Sequence, residues 1–93
     1  MRVQRLAEED LLAIWEYSFQ EWGATHADRY LDNLDQRIHA LARNPSLGNC
    51  RDEVRKGYRA LNVNRHTVYY TVSASAIQVI RVLHAQMDPY RYL

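Results

Sequence analysis

The chain has 93 residues, 47% of them hydrophobic and 25% charged, which is enough for one two-layer core and too little for a second domain. This balance excludes disordered, collagen-like and coiled-coil classes. No apolar run approaches the roughly 20 residues of a membrane span, and no signal-peptide pattern opens the chain. The single cysteine, Cys50, cannot form an internal disulfide, which fits the reducing cytoplasm expected for this protein. The 12 basic and 11 acidic side chains nearly cancel, but they are unevenly placed. Residues 1–50 hold five arginines against eight acids; residues 51–93 hold seven basic residues against three acids. Eleven of the twelve basic residues are Arg, whose planar fork suits carboxylate or phosphate pairing, although genomic base composition explains such a bias equally well.

The first predicted element is a short strand over Met1 to Val3. From Leu6 to Trp22 the residues Leu11, Ile14, Trp15, Ser18 and Trp22 recur at steps of three and four, which predicts an amphipathic helix with both tryptophans in the core. Glu8, Glu9 and Asp10 suit the positive end of its dipole, and Gly23 is placed to stop it in the left-handed conformation. A second helix follows, with Thr25 and Asp28 spaced as a capping box. Ala27, Leu31, Leu34, Ile38 and Leu41 form its stripe, and Asn44-Pro45 ends it. The short link between the two predicts an antiparallel hairpin.

Residues 45–57, with Pro45, Ser46, Gly48, Asn49 and Gly57, read as loop. The period then changes to two. Leu61 and Val63 alternate with Ala60 and Asn62; Val68, Tyr70 and Val72 alternate with Thr67, Tyr69 and Thr71. Asn64-Arg65 and Ser73-Ala74-Ser75 are the turns. Residues 77–84 are apolar on both parities, with Ile80 and Val82 on one face and Ile77, Val79 and Leu83 on the other, as in a central strand. The predicted fold is α+β, a helical hairpin packed on one face of a small antiparallel sheet in the order β-α-α-β-β-β, as a single domain over residues 1–93. The opposite face, with Tyr69, Val79, Arg81 and Leu83, is then left bare, and predicts a partner or a second copy of the chain.

No zinc spacing, phosphate loop or nucleophile elbow occurs, so neither a metal nor a cofactor is expected, and Cys50 lacks a neighbouring base. The chemistry-bearing residues on the sheet are Arg59, Arg65, His66, Arg81 and His84. A charge at Arg81 in an apolar strand demands a partner or a function; Asp88 or Glu53 is the expected carboxylate. His66 and His84 stand at strand ends, where they serve as hydrogen-bonded structural groups or as proton carriers. Leu12 and Phe19 lie at the shoulder of the first helix's stripe and either widen the core or border a groove for a partner helix. Tyr90, Arg91 and Tyr92 form a tail that stacks on a ligand or packs down.

Ala7, Asp10, Leu11, Ile14, Trp15 and Tyr17, then Trp22-Gly23, Ala27, Tyr30-Leu31, Pro45, Gly48, Arg55, Gly57 and Arg59, and finally Arg65-His66, Tyr70, Arg81 to His84 and Asp88-Pro89 run in order along the chain. With these residues the chain resembles, over essentially its whole length, the ParE branch of the RelE/ParE toxin superfamily. The family usually begins with a longer first strand and carries more proline and charge around the position of Cys50. The resemblance implies the toxin of a type II toxin–antitoxin pair, held inactive by a ParD-like antitoxin and inhibiting DNA gyrase without enzymatic chemistry. Expected target-binding residues are Arg59, Arg65, His66, Arg81, His84, Tyr90 and Tyr92; expected antitoxin contacts are Leu12, Phe19, Tyr69, Val79 and Leu83. The RelE branch cleaves messenger RNA on the ribosome. Under that alternative Arg59, Arg65, Arg81 and His84 would carry the reaction. A homologue that only binds its antitoxin is the third reading.

Overall fold

A computed structural model describes residues 1–74 and 76–93. The chain runs β1 (Arg2–Val3), α1 (Arg5–Trp22), α2 (Ala24–Arg43), β2 (Asn49–Cys50), β3 (Tyr58–Val63), β4 (His66–Val72), β5 (Ile77–His84) and α3 (Pro89–Tyr92). The five strands form one sheet in the order β1-β5-β4-β3-β2. The three long strands are antiparallel neighbours, as expected. The sheet is mixed, however, because β1 lies parallel to β5, with Arg2 opposite Gln78 and Val3 opposite Val79. β2 lies inside the segment expected to be all loop; it pairs Asn49 with Ala60 and Cys50 with Arg59.

Gly23 joins the two helices at φ 89°, ψ 173°, so it supplies the positive φ anticipated but an extended ψ rather than a left-handed turn. Its N–H donates to the Phe19 carbonyl at 2.8 Å and its carbonyl accepts from Ala27 N at 3.0 Å, serving both helices. The Thr25–Asp28 capping box does not form, because α2 begins at Ala24 with Gly23 as its cap and no side-chain cap bond. Asp28 instead accepts a hydrogen bond from Trp15 Nε1 at 2.9 Å, tying the hairpin together.

The core lies between the hairpin and the sheet. It holds Ala7 and Ile14 of α1, Leu34, Ile38 and Leu41 of α2, and Leu61, Val68, Tyr70, Ile77, Val79 and Val82 of the strands. On α1 the buried line is Ala7, Ile14 and Ser18, so the two tryptophans are not core residues as expected. At about 100° per residue Trp15 stands some 60° from Ser18, and is half-buried, while Trp22 is 52% exposed.

The assignment of faces on β5 is corrected by one residue. Tyr69 pairs with Arg81 but Tyr70 pairs with Val79, leaving Ile80 extra. A bulge of this kind resets the in/out alternation beyond it. Ile77 and Val79 therefore face the helices, as does Val82, and Val79, expected on the open face, is fully buried in the main core. The face opposite the hairpin is also not bare. Ala60, Tyr69 and Leu83 form a second buried cluster, and Met87 and Leu93 pack against it. The C-terminal segment thus covers the surface that the sequence left uncovered. Asp88 caps α3 by accepting from Tyr90 N at 3.0 Å, with Pro89 in the first turn. At the turn between β3 and β4, Asn64 takes φ 55°, as its short polar side chain allows. Of the expected turn at residues 73–75, Ser75 lies outside the described residues, and Ser73 N–H bonds the Ala76 carbonyl at 2.9 Å.

Gly48 is required by close approach. A Cβ there would stand 2.6 Å from the Ala60 carbonyl oxygen and 2.7 Å from the Tyr70 hydroxyl. That hydroxyl is fully committed: it accepts from Gly48 N at 2.9 Å and donates to the Pro45 carbonyl at 2.7 Å, fastening the loop after α2 over the sheet.

Candidate functional site

A cleft of about 740 Å³ opens where α1, the first turns of α2 and the His66/His84 end of the sheet meet. Ile14, Val82 and Leu83 form apolar wall, and Tyr17, Trp22 and Met87 continue it toward solvent. Trp22 lies tilted against His26 at 5.0 Å, across the Gly23 elbow, and meets Tyr17 edge-on at 6.1 Å. Because Gly23 leaves no loop between the helices, residues on either side of it share one surface.

The polar part of the cleft is Asp10, Tyr30, Arg65, His66 and His84. His66 and His84 are cross-strand partners, with rings edge to face at 5.3 Å. Tyr30 reaches from α2, its hydroxyl 2.6 Å from His66 Nδ1. Burial, reinforced by the neighbouring His84, pushes the His66 pKa down from 6.5 to about 4, and burial raises the pKa of Tyr30. Near neutral pH His66 is therefore an uncharged, hydrogen-bonded ring.

Arg81 is paired, but not with Asp88 or Glu53. Its Nε and Nη2 donate to the two carboxylate oxygens of Asp10 at 2.8 and 2.9 Å, and this bond raises its pKa above the ordinary value. Asp10 also accepts from Val82 N at 3.0 Å. β1 pairs with β5 only as far as Val79, so the carboxylate of α1 stands in for the strand that is missing beside Val82. On its other side the Arg81 guanidinium lies 5.9 Å over the Tyr92 ring. Bulge, α1 and tail thus converge on one arginine.

The remaining sequence-derived candidates scatter. Arg59 is away from the cleft, donating to the Gly48 carbonyl at 2.6 Å and to Cys50 Sγ at 3.0 Å. Tyr90 and Tyr92 are 62% and 44% exposed. Tyr69 and Leu83 are buried in the second cluster beneath the C-terminal segment. Leu12 and Phe19 are 60% and 46% exposed, on a second flank of α1 where Phe19 stacks on Trp15 at 5.1 Å. Of the expected set, then, only Arg65, His66, His84 and Leu83 meet in the cleft. Sequence reasoning about the site missed Tyr30, Tyr17 and the role of Asp10. All three were visible only as residues of the family motif, because nothing local in sequence connects α1 or α2 to a strand end so far along the chain. Among the described residues no three His, Cys, Asp or Glu side chains come together as a metal site.

A helical hairpin on a mixed sheet with this strand order is the architecture of a chain from the chromosomal ParDE TA system of P. aeruginosa. That chain superposes with a TM-score of 0.82, covering 91% of this protein and 94% of itself at 21% identity. The two chains share one fold class, a helical hairpin packed on a small sheet. Residues 1–89 match the model of the ParE toxin of type II toxin–antitoxin systems, parDE. Toxin ParE1 of Mycobacterium tuberculosis H37Rv is 41% identical over 88 residues, covering 94% of this chain and 90% of its own length. Toxin ParE1 of Caulobacter vibrioides is 37% identical over 92 residues, covering 99% and 95%. The chain belongs to the ParE toxin family of type II toxin–antitoxin systems.

Proposed function

We propose that this protein is a growth-arresting cytoplasmic toxin that inhibits DNA gyrase by binding rather than by catalysis, and that a ParD-like antitoxin neutralises it. The observation that carries the binding reading is the exposed aromatic and aliphatic surface of α1. Leu12 and Phe19 on one flank, and Tyr17 and Trp22 on the other, are each 46–61% exposed. Apolar surface of that extent on a domain this small marks a partner interface, and two flanks of one helix suit a segment that wraps it. Tyr69, Val79 and Leu83, first expected to join this interface, are buried within the fold, which leaves α1 to carry it.

The binding reading is favoured over RNA cleavage by what the polar residues already do. Phosphodiester cleavage requires a base, an acid and free cations. Arg81 is locked to Asp10 and Arg59 to the loop carbonyl of Gly48, so two of the three candidate cations are not free to meet a phosphate. Arg65 and Tyr90 remain available to a target, while Tyr92 is engaged by Arg81. Purified protein should block supercoiling by gyrase and leave ribosome-bound messages intact. Message cleavage with unaffected gyrase would establish the RelE-like activity instead, and harmless expression with intact antitoxin binding would establish a toxin without a target.

A further inference from the structure

His66 Nδ1 is engaged by the Tyr30 hydroxyl, and His84 Nδ1 accepts the Gln86 amide at 3.1 Å. A backbone N–H only donates, so neutral His84 carries its proton on Nε2. Each ring of the pair thus has one nitrogen occupied and Nε2 left for a visitor. The charged and titratable groups that face the pair are Asp10 and Tyr17 from α1, His26 and Tyr30 from α2, and Arg65 from the turn before β4. Asp10 is consumed by Arg81 and by Val82 N. What remains is one permanent cation and a set of imidazole donors, surrounded by apolar and aromatic walls.

We propose that this cleft is a proton-linked recognition site for a carboxylate carried on an apolar partner segment, with Arg65 and the Nε2 atoms of His66 and His84 as its donors. The source of that segment rests on the antitoxin reading; the chemistry of the site does not. A nucleic-acid phosphate fits less well, because such ligands are held by rows of cations, whereas here Arg65 stands alone among Ile14, Tyr17, Trp22, Val82 and Leu83.

The linkage follows from the geometry. In the empty cleft, burial and the neighbouring His84 hold His66 neutral down to about pH 4. An incoming carboxylate favours the protonated ring, so binding takes up a proton. Protonation does not break the Tyr30 contact: Nδ1–H then donates to the phenol oxygen, and Tyr30 keeps its place. For a carboxylate that stays ionised, affinity therefore rises as the pH falls through the His66 pKa of the occupied site and levels off near the value of the empty one.

The test follows the His66 and His84 imidazole resonances of the full chain by NMR from about pH 4 to pH 8. Trifluoroacetate, a carboxylate with an apolar head that stays ionised across this range, is added in one series and a short oligoribonucleotide in another. Trifluoroacetate is expected to bind saturably, to raise the proton affinity of His66 about tenfold, and to bind more tightly at the acidic end. His66→Gln, with its fold checked by circular dichroism, should lose the acid enhancement. The absence of a saturable trifluoroacetate shift overturns the proposal. So does a response to the oligonucleotide alone, which would make this a phosphate site. Because the chain is tested by itself, this failure is separate from that of the antitoxin reading, which falls only if a ParD-like protein does not bind.

Discussion

Replacing Asp10 with alanine removes the one acceptor shared by three donors. Val82 N–H, on the stretch of β5 that β1 does not reach, is left without its partner, at a cost of about 1–3 kcal/mol. The Arg81 guanidinium loses both of its carboxylate bonds. Breaking a fully buried ion pair costs about 3–5 kcal/mol, but these side chains retain 16% and 15% exposure, so solvent screening reduces that contribution to about 1–2 kcal/mol. Together the loss is about 2–5 kcal/mol, a large share of the roughly 5–15 kcal/mol that holds a small domain folded. Thermal unfolding followed by circular dichroism should show a Tm lowered by about 10–20 °C. Asp10→Asn keeps one acceptor and should lose about half as much. The pair Asp10→Leu with Arg81→Met removes both charges, and should be more stable than Asp10→Ala alone; the two sites should couple by at least about 1 kcal/mol in a double-mutant cycle. If Asp10→Ala moved the Tm by less than about 3 °C, or if the losses simply added, the assignment of Arg81 as a structural clamp would be wrong and its availability to a target would reopen.

Four other outcomes are expected. The His66 pKa lies below its ordinary 6.5, at about 4 in the fold, so the unfolded chain takes up this proton first; stability should fall as the pH drops through this window, by up to about 2 kcal/mol for a half-buried ring. Urea midpoints measured against pH should show that slope, and His66→Gln should flatten it. Gly48→Ala forces a methyl group against the Ala60 carbonyl at 2.6 Å and should destabilise the fold by about 1–3 kcal/mol, as is typical of overpacking, read as a lowered Tm. Tyr70→Phe leaves Gly48 N–H and the Pro45 carbonyl unpaired and should cost about 1–3 kcal/mol in the same assay. Phe19→Ser or Trp22→Ser, at exposed positions, should change stability by less than about 1 kcal/mol while weakening antitoxin capture in a titration at least about tenfold.

What was legible in the sequence was whatever depends on local period. Leu34, Ile38 and Leu41 define the α2 seam, and the alternation from Leu61 through Val72 defines two strands, because each pattern needs only its own neighbours. The errors came from non-local facts. Nothing in IQVIRVLH shows that Ile80 is surplus, since a bulge is a property of two paired strands; hence Val79 was placed on the wrong face. The α1 stripe contains more large residues than its narrow seam can bury, and small Ala7 and Ser18 take the closest approach, displacing Trp15 and Trp22 outward. Asn49-Cys50 is too short and polar to announce a strand. The cleft was legible only in part, as His66 and His84, because Tyr30 reaches it from another layer across 36 residues.

The bulge and the tail bear on function together. Had β5 run without Ile80 as an extra residue, Val79 and Leu83 would share one face and the sheet would offer a broad apolar back to a partner. Instead the bulge sends Val79 inward, and Met87 and Leu93 cover what remains of the back around Tyr69 and Leu83. The open stretch of β5 is likewise occupied, by Asp10 on Val82 N–H, where an unpaired strand edge would otherwise invite another strand. The back of the sheet and the open stretch of β5 are therefore both occupied from within the chain. The fold gains nothing comparable from Leu12, Tyr17, Phe19 and Trp22, whose exposure of 46–61% is a solubility liability in a free monomer. Residues that cost solubility and contribute little to the fold support the binding proposed above, with the hairpin and its cleft as the proposed contact surface.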